Sequence, residues 1–326
     1  MLRVQVHHDD HGGLEVSWEL DGPPAAVDVA VGPTPDHIDH VHAVAVGAGS
    51  VSTRLTGLGP GRHFVSVSVH GAGSAVVAAD RRLQFEGVQN FRDLGGYPTA
   101  DGRTTRWGSV FRSDALHKLT EADLVEFERL GMGSVFDLRS DDERTSHPNP
   151  FDSEQLAVIG RPREADAAQQ AFDSMPIGTD GERILRDLYI GMLEHSAPLF
   201  GRLLSGLLSP GRLPAVFHCH AGKDRTGVAA ALLLVALRVD RDAVLDDYEL
   251  TRRYRTFEHQ QDSYERLQSR GLSPEAAAGV LTAPRWAMSD ALDALDADHG
   301  GIEAYLTGPA AMSARDLASL RDVLTE

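Results

Sequence analysis

Ten residues, HCHAGKDRTG from His218 to Gly227, restrict what this chain can fold into more than any other stretch. The apolar run Ala215 to Phe217 leads into them, and TGVAAALLLVALR, apolar and helix-forming, follows from Thr226 to Arg238. That order predicts a strand, a tight loop and a helix. The loop carries Cys219, the only cysteine in 326 residues, with Arg225 six positions on, Gly222 between them to permit a sharp turn, and Thr226 at the helix start. A loop of this shape turns successive backbone N–H groups inward at a helix N-terminus, where the helix dipole adds partial positive charge. The expectation is an anion cradle lined by His220, Ala221, Gly222, Lys223, Asp224 and Arg225. Cys219 stands at its mouth, in the surroundings that turn a thiol into a nucleophilic thiolate. A buried cysteine is ordinarily an inert small hydrophobe. This one is followed by Lys223, Asp224, Arg225 and Thr226, which a packed strand end could not hold without a ligand to pair them.

HCHAGKDRTG resembles the signature of the cysteine-dependent protein tyrosine phosphatase superfamily, and its GKDRTG ending is similar to the bacterial branch of atypical, lipid-phosphatase-like members. NFRDLGGY (Asn90 to Tyr97), VFRSDAL (Val110 to Leu116) and SVFDLRSDDE (Ser134 to Glu143) follow the order and spacing of that branch, and DHGGIEAYL (Asp298 to Leu306) resembles its tail. The likeness spans about residues 86 to 326. It implies that Cys219 attacks phosphorus and carries a phosphocysteine intermediate. Arg225 would grip two phosphate oxygens with its planar fork, which a lysine could not copy. Thr226 would donate to the departing thiolate, its alternative being a simple helix cap. His218 is expected to bond backbone and hold the loop in register, and Arg139 and Glu143 to support it.

The leaving alcohol needs a proton, so a carboxylic acid must be near. No WPD motif is present. Asp224, inside the loop, is the acid that the resemblance implies; Asp93 is its rival, with a salt bridge to Arg225 or Arg112 as the other reading of that residue. Lys223 is expected at the loop rim, where a second cation suits phosphoinositides or acidic phosphopeptides; alternatively it pairs with Asp224 or Asp93. Neither a metal nor a cofactor is required. The function expected is a phosphomonoester phosphatase acting on phosphorylated protein, with possible phosphoinositide substrates. Two rivals stand beside it: an inositol polyphosphate phosphatase, and a phospho-ligand binding module without turnover. The binding module would need none of Cys219, an acid and Thr226.

Strand and helix alternating from residue 86 onward predict an α/β domain, a mainly parallel sheet flanked by helices, with the loop at the carboxyl end of a strand. Thr120 and Asp123 form a capping box for a helix ending at Gly131, and further helices are expected at Glu182 to His195, Ser196 to Leu208, Asp240 to about Gln268, from Ser273, Trp286 to Asp298, and from Ser313. Residues 141 to about 180 are polar with few apolar anchors, so a lid is expected at about 145 to 195. Residues 1 to 85 differ. LEVSW, AVDVAV, HAVAV and HFVSVSV alternate with period two between Gly, Pro and Asp punctuation, which predicts a small all-β sandwich. With Trp18 early and TGLGPGRHFVSVSV late it resembles a fibronectin type III module, although Phe64 stands where that family places a tyrosine. Its expected role is to dock, space or cover a partner. The histidines of HIDHVH (His37, His40, His42), like His7, His8 and His11, read as solvated groups rather than metal ligands.

Acidic residues number 48 against 31 Lys plus Arg, a formal charge of -17 that repels nucleic acid and anionic bilayers. No stretch reaches the ~20 apolar residues of a membrane span, and the first residues lack the pattern of a signal peptide. A single cysteine fits a reducing compartment, so a cytoplasmic location is expected.

Overall fold

The computed structural model describes residues 2–9, 12–59, 61–72, 74–151, 156–160, 180–256 and 260–326. The chain divides into two compact units, Met1–Leu83 and Gln84–Glu326. In the first, seven strands, β1 (Leu2–His8), β2 (Leu14–Leu20), β3 (Val27–Gly32), β4 (Val44–Val46), β5 (Ser52–Leu55), β6 (Phe64–Val69) and β7 (Ala75–Ala79), form two antiparallel sheets in the orders β1-β2-β5 and β4-β3-β6-β7. Alternation decides what is inside: Leu14, Val16 and Trp18 on β2 and Val27 and Val29 on β3 turn into one core with Val6, Val65 and Val67. Phe64 is buried, with the Arg62 guanidinium 4.8 Å from its ring centroid. His37 and His42 are exposed and bonded to Thr34 and Asp39. His8 departs from the solvated expectation, because its Nδ1 lies 2.8 Å from the buried Asp80 carboxylate. His11 lies outside the described residues.

The second unit is built on one five-stranded sheet. Its strands are β8 (Arg92–Asp93), β9 (Val110–Ser113), β10 (Ser134–Asp137), β11 (Ala157–Gly160) and β12 (Ala215–His218), in the order β11-β10-β12-β9-β8. All pairings are parallel except β8 with β9. Every residue of β9, β10 and β12 is buried, as helices on both faces of a parallel sheet require. β12 is central, so the residues that follow it emerge at the middle of the sheet's carboxyl edge. The next helix, Asp224–Ala236, is apolar nearly all round and buried along its length, which fixes its N-terminus rigidly beneath the loop.

The predicted caps are present at Thr120, Ser273 and Ser313. Two expectations need correction. The single helix expected from Asp240 is two, Arg241–Tyr254 and Gln261–Ser269. The chain leaves helical geometry at Arg255, where the Gln260 amide donates to the Arg255 carbonyl at 2.9 Å and closes the break. The lid range of 145 to 195 also shrinks. Residues 152–155 and 161–179 lie outside the described residues, but Gly181–His195 is a helix that buries Ile184, Leu185, Leu188, Tyr189 and Met192, and is a wall of the core. The tail motif packs as well: Tyr305 donates to the Leu193 carbonyl at 2.8 Å, and Gly300 closes the preceding helix at φ +77°. No helix among the described residues is long and apolar enough to cross a membrane.

Candidate active site

The loop is held from outside by its carbonyls. The His218 carbonyl accepts from Leu138 N at 2.8 Å and the His220 carbonyl from Ala115 N at 3.1 Å. The Gly222 carbonyl takes both Arg112 Nη2 at 2.9 Å and Asn90 Nδ2 at 3.0 Å. His218 is buried, and its Nδ1 lies 3.2 Å from the Cys219 carbonyl. Among the described residues nothing accepts from the N–H groups of His220, Ala221, Lys223, Asp224 or Arg225. Gly222 N donates to Cys219 Sγ at 3.2 Å, so the buried sulfur, which also packs at the edge of the apolar core, has a loop amide as its polar neighbour. Gly222 is obligatory: its φ is +66°, and a Cβ there would lie 2.5 Å from the Ser113 carbonyl oxygen.

The upstream motifs are the braces of this loop. Asn90 and Arg112 hold Gly222, and the buried Asp114 carboxylate accepts from Asn90 N at 2.9 Å. Arg92 and Arg112, both fully buried, share the Asp247 carboxylate, at 2.9 Å to Arg92 Nε and 2.5 Å to Arg112 Nη1, and Tyr97 OH joins them at 3.1 Å. Asp93 differs from the acid or salt-bridge roles expected of it. It is fully buried in β8 and accepts from Gly95 N and Gly108 N, each at 2.8 Å, while Arg112 is paired with Asp247 and Arg225 with Glu143. Gly95 is needed there because a Cβ would meet the Trp107 backbone at 2.3 Å.

Arg225 is clamped. Its Nη1 and Nη2 bind the two Glu143 oxygens at 2.6 and 3.0 Å, and Nη1 also donates to the Leu138 carbonyl at 3.0 Å. Burial works against its charge, but Glu143 and the nearby Cys219 sulfur more than compensate and raise its pKa. Glu143 in turn completes a capping box with Ser140, which orients it. Sequence reasoning named Glu143 only as a support; the Ser140-x-x-Glu143 pattern would have placed it at a helix start, though not against Arg225. Arg139 binds Asp137, the His147 carbonyl and Asn149, and so secures the strand end beside the loop. Burial, with neighbouring cations, lowers His117 and His220, whose ring centroids lie 6.4 Å apart, to about 4, so both are neutral at physiological pH.

Burial alone would raise the Glu143 carboxyl, yet the Arg225 hydrogen bond and charge hold it down at about 2. A carboxyl lowered by folding stabilises the fold fully above its ordinary value and loses that contribution as pH falls toward the folded one. The gap in urea midpoint between the native chain and Glu143→Gln should therefore be wide at pH 7 and narrower at pH 3.

Lys223 is not at the rim. It is buried, and its Nζ donates to the Val280 and Thr282 carbonyls at 2.5 and 2.9 Å and lies 3.2 Å from Asp224 Oδ1. Its stem reaches back to the connection after helix Pro274–Leu281, which no local sequence signal reveals. Thr226 is fully buried, does not cap the helix, and its Oγ1 has no partner among the described residues. Asp224, at the first turn of the helix, accepts from Tyr189 OH at 2.9 Å and keeps a quarter of its side chain exposed. Tyr189 was not singled out by sequence, where it reads as one more apolar position of an amphipathic helix.

An α/β sheet that delivers a cysteine and an arginine into one amide-lined loop defines the cysteine-dependent phosphatase class. Residues 83–326 match the tyrosine phosphatase family, and the chain belongs to that family. It is 30% identical over 236 residues to a Cupriavidus necator protein named as a tyrosine-protein phosphatase, covering 72% of this chain and 85% of that one. It is 33% identical over 192 residues to the triple specificity protein phosphatase PtpB of Mycobacterium tuberculosis, covering 51% of this chain and 67% of that one. Among solved structures, the catalytic core of the PP-IP phosphatase SIW14 from S. cerevisiae aligns over 57% of this chain and 94% of its own, at 15% identity and a TM-score of 0.30.

Proposed function

We propose that this protein is a metal-independent phosphomonoester hydrolase, a protein tyrosine phosphatase that works through phosphocysteine. The observation that carries the reading is the loop itself: the His218, His220 and Gly222 carbonyls are held by donors from neighbouring segments, five loop amides have no acceptor among the described residues, and Gly222 N lies 3.2 Å from the Cys219 sulfur. The Cys219 thiolate attacks phosphorus and the bond from phosphorus to the leaving oxygen breaks. The electron pair goes to that oxygen, which takes a proton from Asp224. Water then attacks the phosphocysteine, Asp224 accepts its proton, and sulfur departs as thiolate. Arg225, preset by Glu143, and the loop amides bind the equatorial oxygens through both steps. We assign Thr226 as the donor to the departing sulfur: its hydroxyl is buried and makes no hydrogen bond among the described residues, so it is free to turn to the sulfur as the phosphorus–sulfur bond breaks.

A second substrate class, inositol polyphosphates or phosphoinositides, is favoured by a different cation from the one expected. Lys223 is spent on carbonyls; the cation we assign to a second phosphate is Arg255, which is 6% exposed and close enough to Lys223 to oppose its charge. The unit Met1–Leu83 we read as a fibronectin type III-like docking module, supported by its three-plus-four strand order. The cytoplasm is the location proposed, on the lone free cysteine.

Phosphate release from an aryl phosphate, a phosphotyrosine peptide and a phosphoinositide should proceed undiminished in EDTA, and acid quenching during turnover should leave phosphate on Cys219, detected by peptide mass spectrometry. Loss of activity in EDTA, or binding without release, overturns the reading. Arg255→Ala should lower phosphoinositide turnover relative to the aryl phosphate.

A further inference from the structure

Asp224 Oδ1 and Oδ2 have different surroundings. Oδ1 accepts from Tyr189 OH at 2.9 Å and lies 3.2 Å from Lys223 Nζ, whereas Oδ2 has no partner among the described residues on a side chain that is 25% exposed. Behind Oδ1 the donors are themselves fixed. The three N–H bonds of the Lys223 ammonium are matched by three oxygens, those of Val280, Thr282 and Asp224. Tyr189 is fully buried, and its oxygen lies 2.6 Å from Tyr248 OH, with the two rings edge to face at 5.9 Å. Tyr189 has one proton, which goes to Asp224, so Tyr248 must be the donor between the two phenols. The Tyr248 ring is backed by Gly227, where a Cβ would come within 3.2 Å of it. Burial raises both phenols above their ordinary pKa, so they remain neutral donors.

The geometry points to a positioning clamp: Tyr248, Tyr189 and Lys223 together hold Asp224 Oδ1, so that the exchangeable proton of this carboxyl resides on Oδ2 and faces the leaving oxygen. This rests on Asp224 being the general acid. A carboxyl free to rotate about its Cβ–Cγ bond would present either oxygen, and its proton would meet the leaving group only part of the time. The clamp removes that freedom. In the first half-reaction Oδ2 gives its proton to the oxygen leaving phosphorus; in the second it takes one from the attacking water, while Oδ1 keeps its two donors throughout. Lys223 is thereby a residue that acts through Asp224, not a reader of a second phosphate. Tyr189, on a helix 35 positions upstream, becomes part of the acid's machinery.

The test is a leaving-group series. Phenyl phosphate needs a proton at its leaving oxygen far more than 4-nitrophenyl phosphate does, so loss of acid alignment shows in their ratio, while a merely loosened fold lowers both together. For Tyr189→Phe the ratio of kcat/KM for 4-nitrophenyl to phenyl phosphate should rise about tenfold, a fraction of the ~100-fold or more that a positioned acid supplies. Because that substitution strands the Tyr248 hydroxyl, the double variant Tyr189→Phe/Tyr248→Phe, which leaves no orphaned phenol, should show the same rise. Asp224→Asn calibrates the series and should raise the ratio further still. A ratio that rises for Asp224→Asn but is unmoved in both tyrosine variants overturns the clamp and leaves the acid assignment standing. A ratio unmoved in Asp224→Asn itself overturns the acid assignment, and the clamp with it.

Discussion

Arg225→Lys should lower kcat by about 10³-fold with little change in fold, an effect of the size found when a preorganised donor to transition-state charge is lost. Two separate geometries are forfeited at once. The planar guanidinium places two parallel N–H bonds on the Glu143 carboxylate at 2.6 and 3.0 Å and a third on the Leu138 carbonyl, leaving its remaining edge to meet phosphate. An ammonium has three donors in a cone and cannot bind Glu143 in a fork while facing an equatorial phosphate oxygen. Charge is retained, so the substrate should still bind within several-fold; what disappears is the alignment that strengthens as phosphorus becomes trigonal bipyramidal. Glu143→Gln separates the two contributions. It leaves Arg225 intact but removes the counter-charge that presets it, and the fall in kcat should be smaller, about tenfold, on the strength of one charge-assisted pair. Stopped-flow measurement of aryl phosphate turnover, with circular dichroism to confirm the fold, reads both. Equal losses in the two variants would mean that Arg225 contributes only when Glu143 presets it.

The strand, loop and helix around Cys219 were legible because everything needed lies within a single contiguous run: an apolar strand, a glycine and a helix with no polar face. The five-stranded sheet was legible in class but not in order, since β9, β10 and β12 are four-residue buried runs that carry no mark of which neighbour each will take. The partners of the site residues were mostly hidden because they are distant in sequence. Glu143 meets Arg225 across 82 positions, and Asp247 meets Arg92 across 155. Lys223 was half legible: its pairing with Asp224 at 3.2 Å is the alternative that the sequence offered, but the rim position is not where it lies. Its charge suggested the surface, but the carbonyls that satisfy it, at Val280 and Thr282, end a helix more than fifty positions later. Asp93 looked like an acid because it is a carboxylate in a motif; only coordinates reveal that two backbone amides already occupy it. One signal was available and unused. Val244, Asp247, Tyr248 and Thr251 share the i, i+3, i+4, i+7 stripe of the helix Arg241–Tyr254, and all four are buried. A carboxylate on the core stripe of a helix requires a buried cation.

That stripe carries the second large effect. Asp247→Asn should destabilise the catalytic unit by about 3–5 kcal/mol, the range for removing one partner of a buried ion pair. Arg92 and Arg112 are both fully buried, and the Asp247 carboxylate is the counter-charge that each of them touches. Burial and the Arg92 charge already push Arg112 down to about 10, so it remains charged at neutral pH and depends on Asp247 for compensation. An asparagine keeps the shape and one acceptor but leaves two guanidinium ions facing each other in the interior. The damage extends to the loop, because Arg112 is also the donor to the Gly222 carbonyl at 2.9 Å, and a displaced Arg112 would let the cradle amides turn. Residual aryl phosphatase activity across a urea series is the appropriate measure, since Gln84–Glu326 is the unit that holds the loop and Asp247. The midpoint should fall sharply, and pre-transition activity should fall as well. Replacing the whole cluster with packed apolar residues should restore the midpoint but not the activity, because hydrophobic substitutes can fill the volume of two arginines without supplying a donor to Gly222. A midpoint within experimental error of the native chain would mean that the two arginines find other compensation in the folded interior.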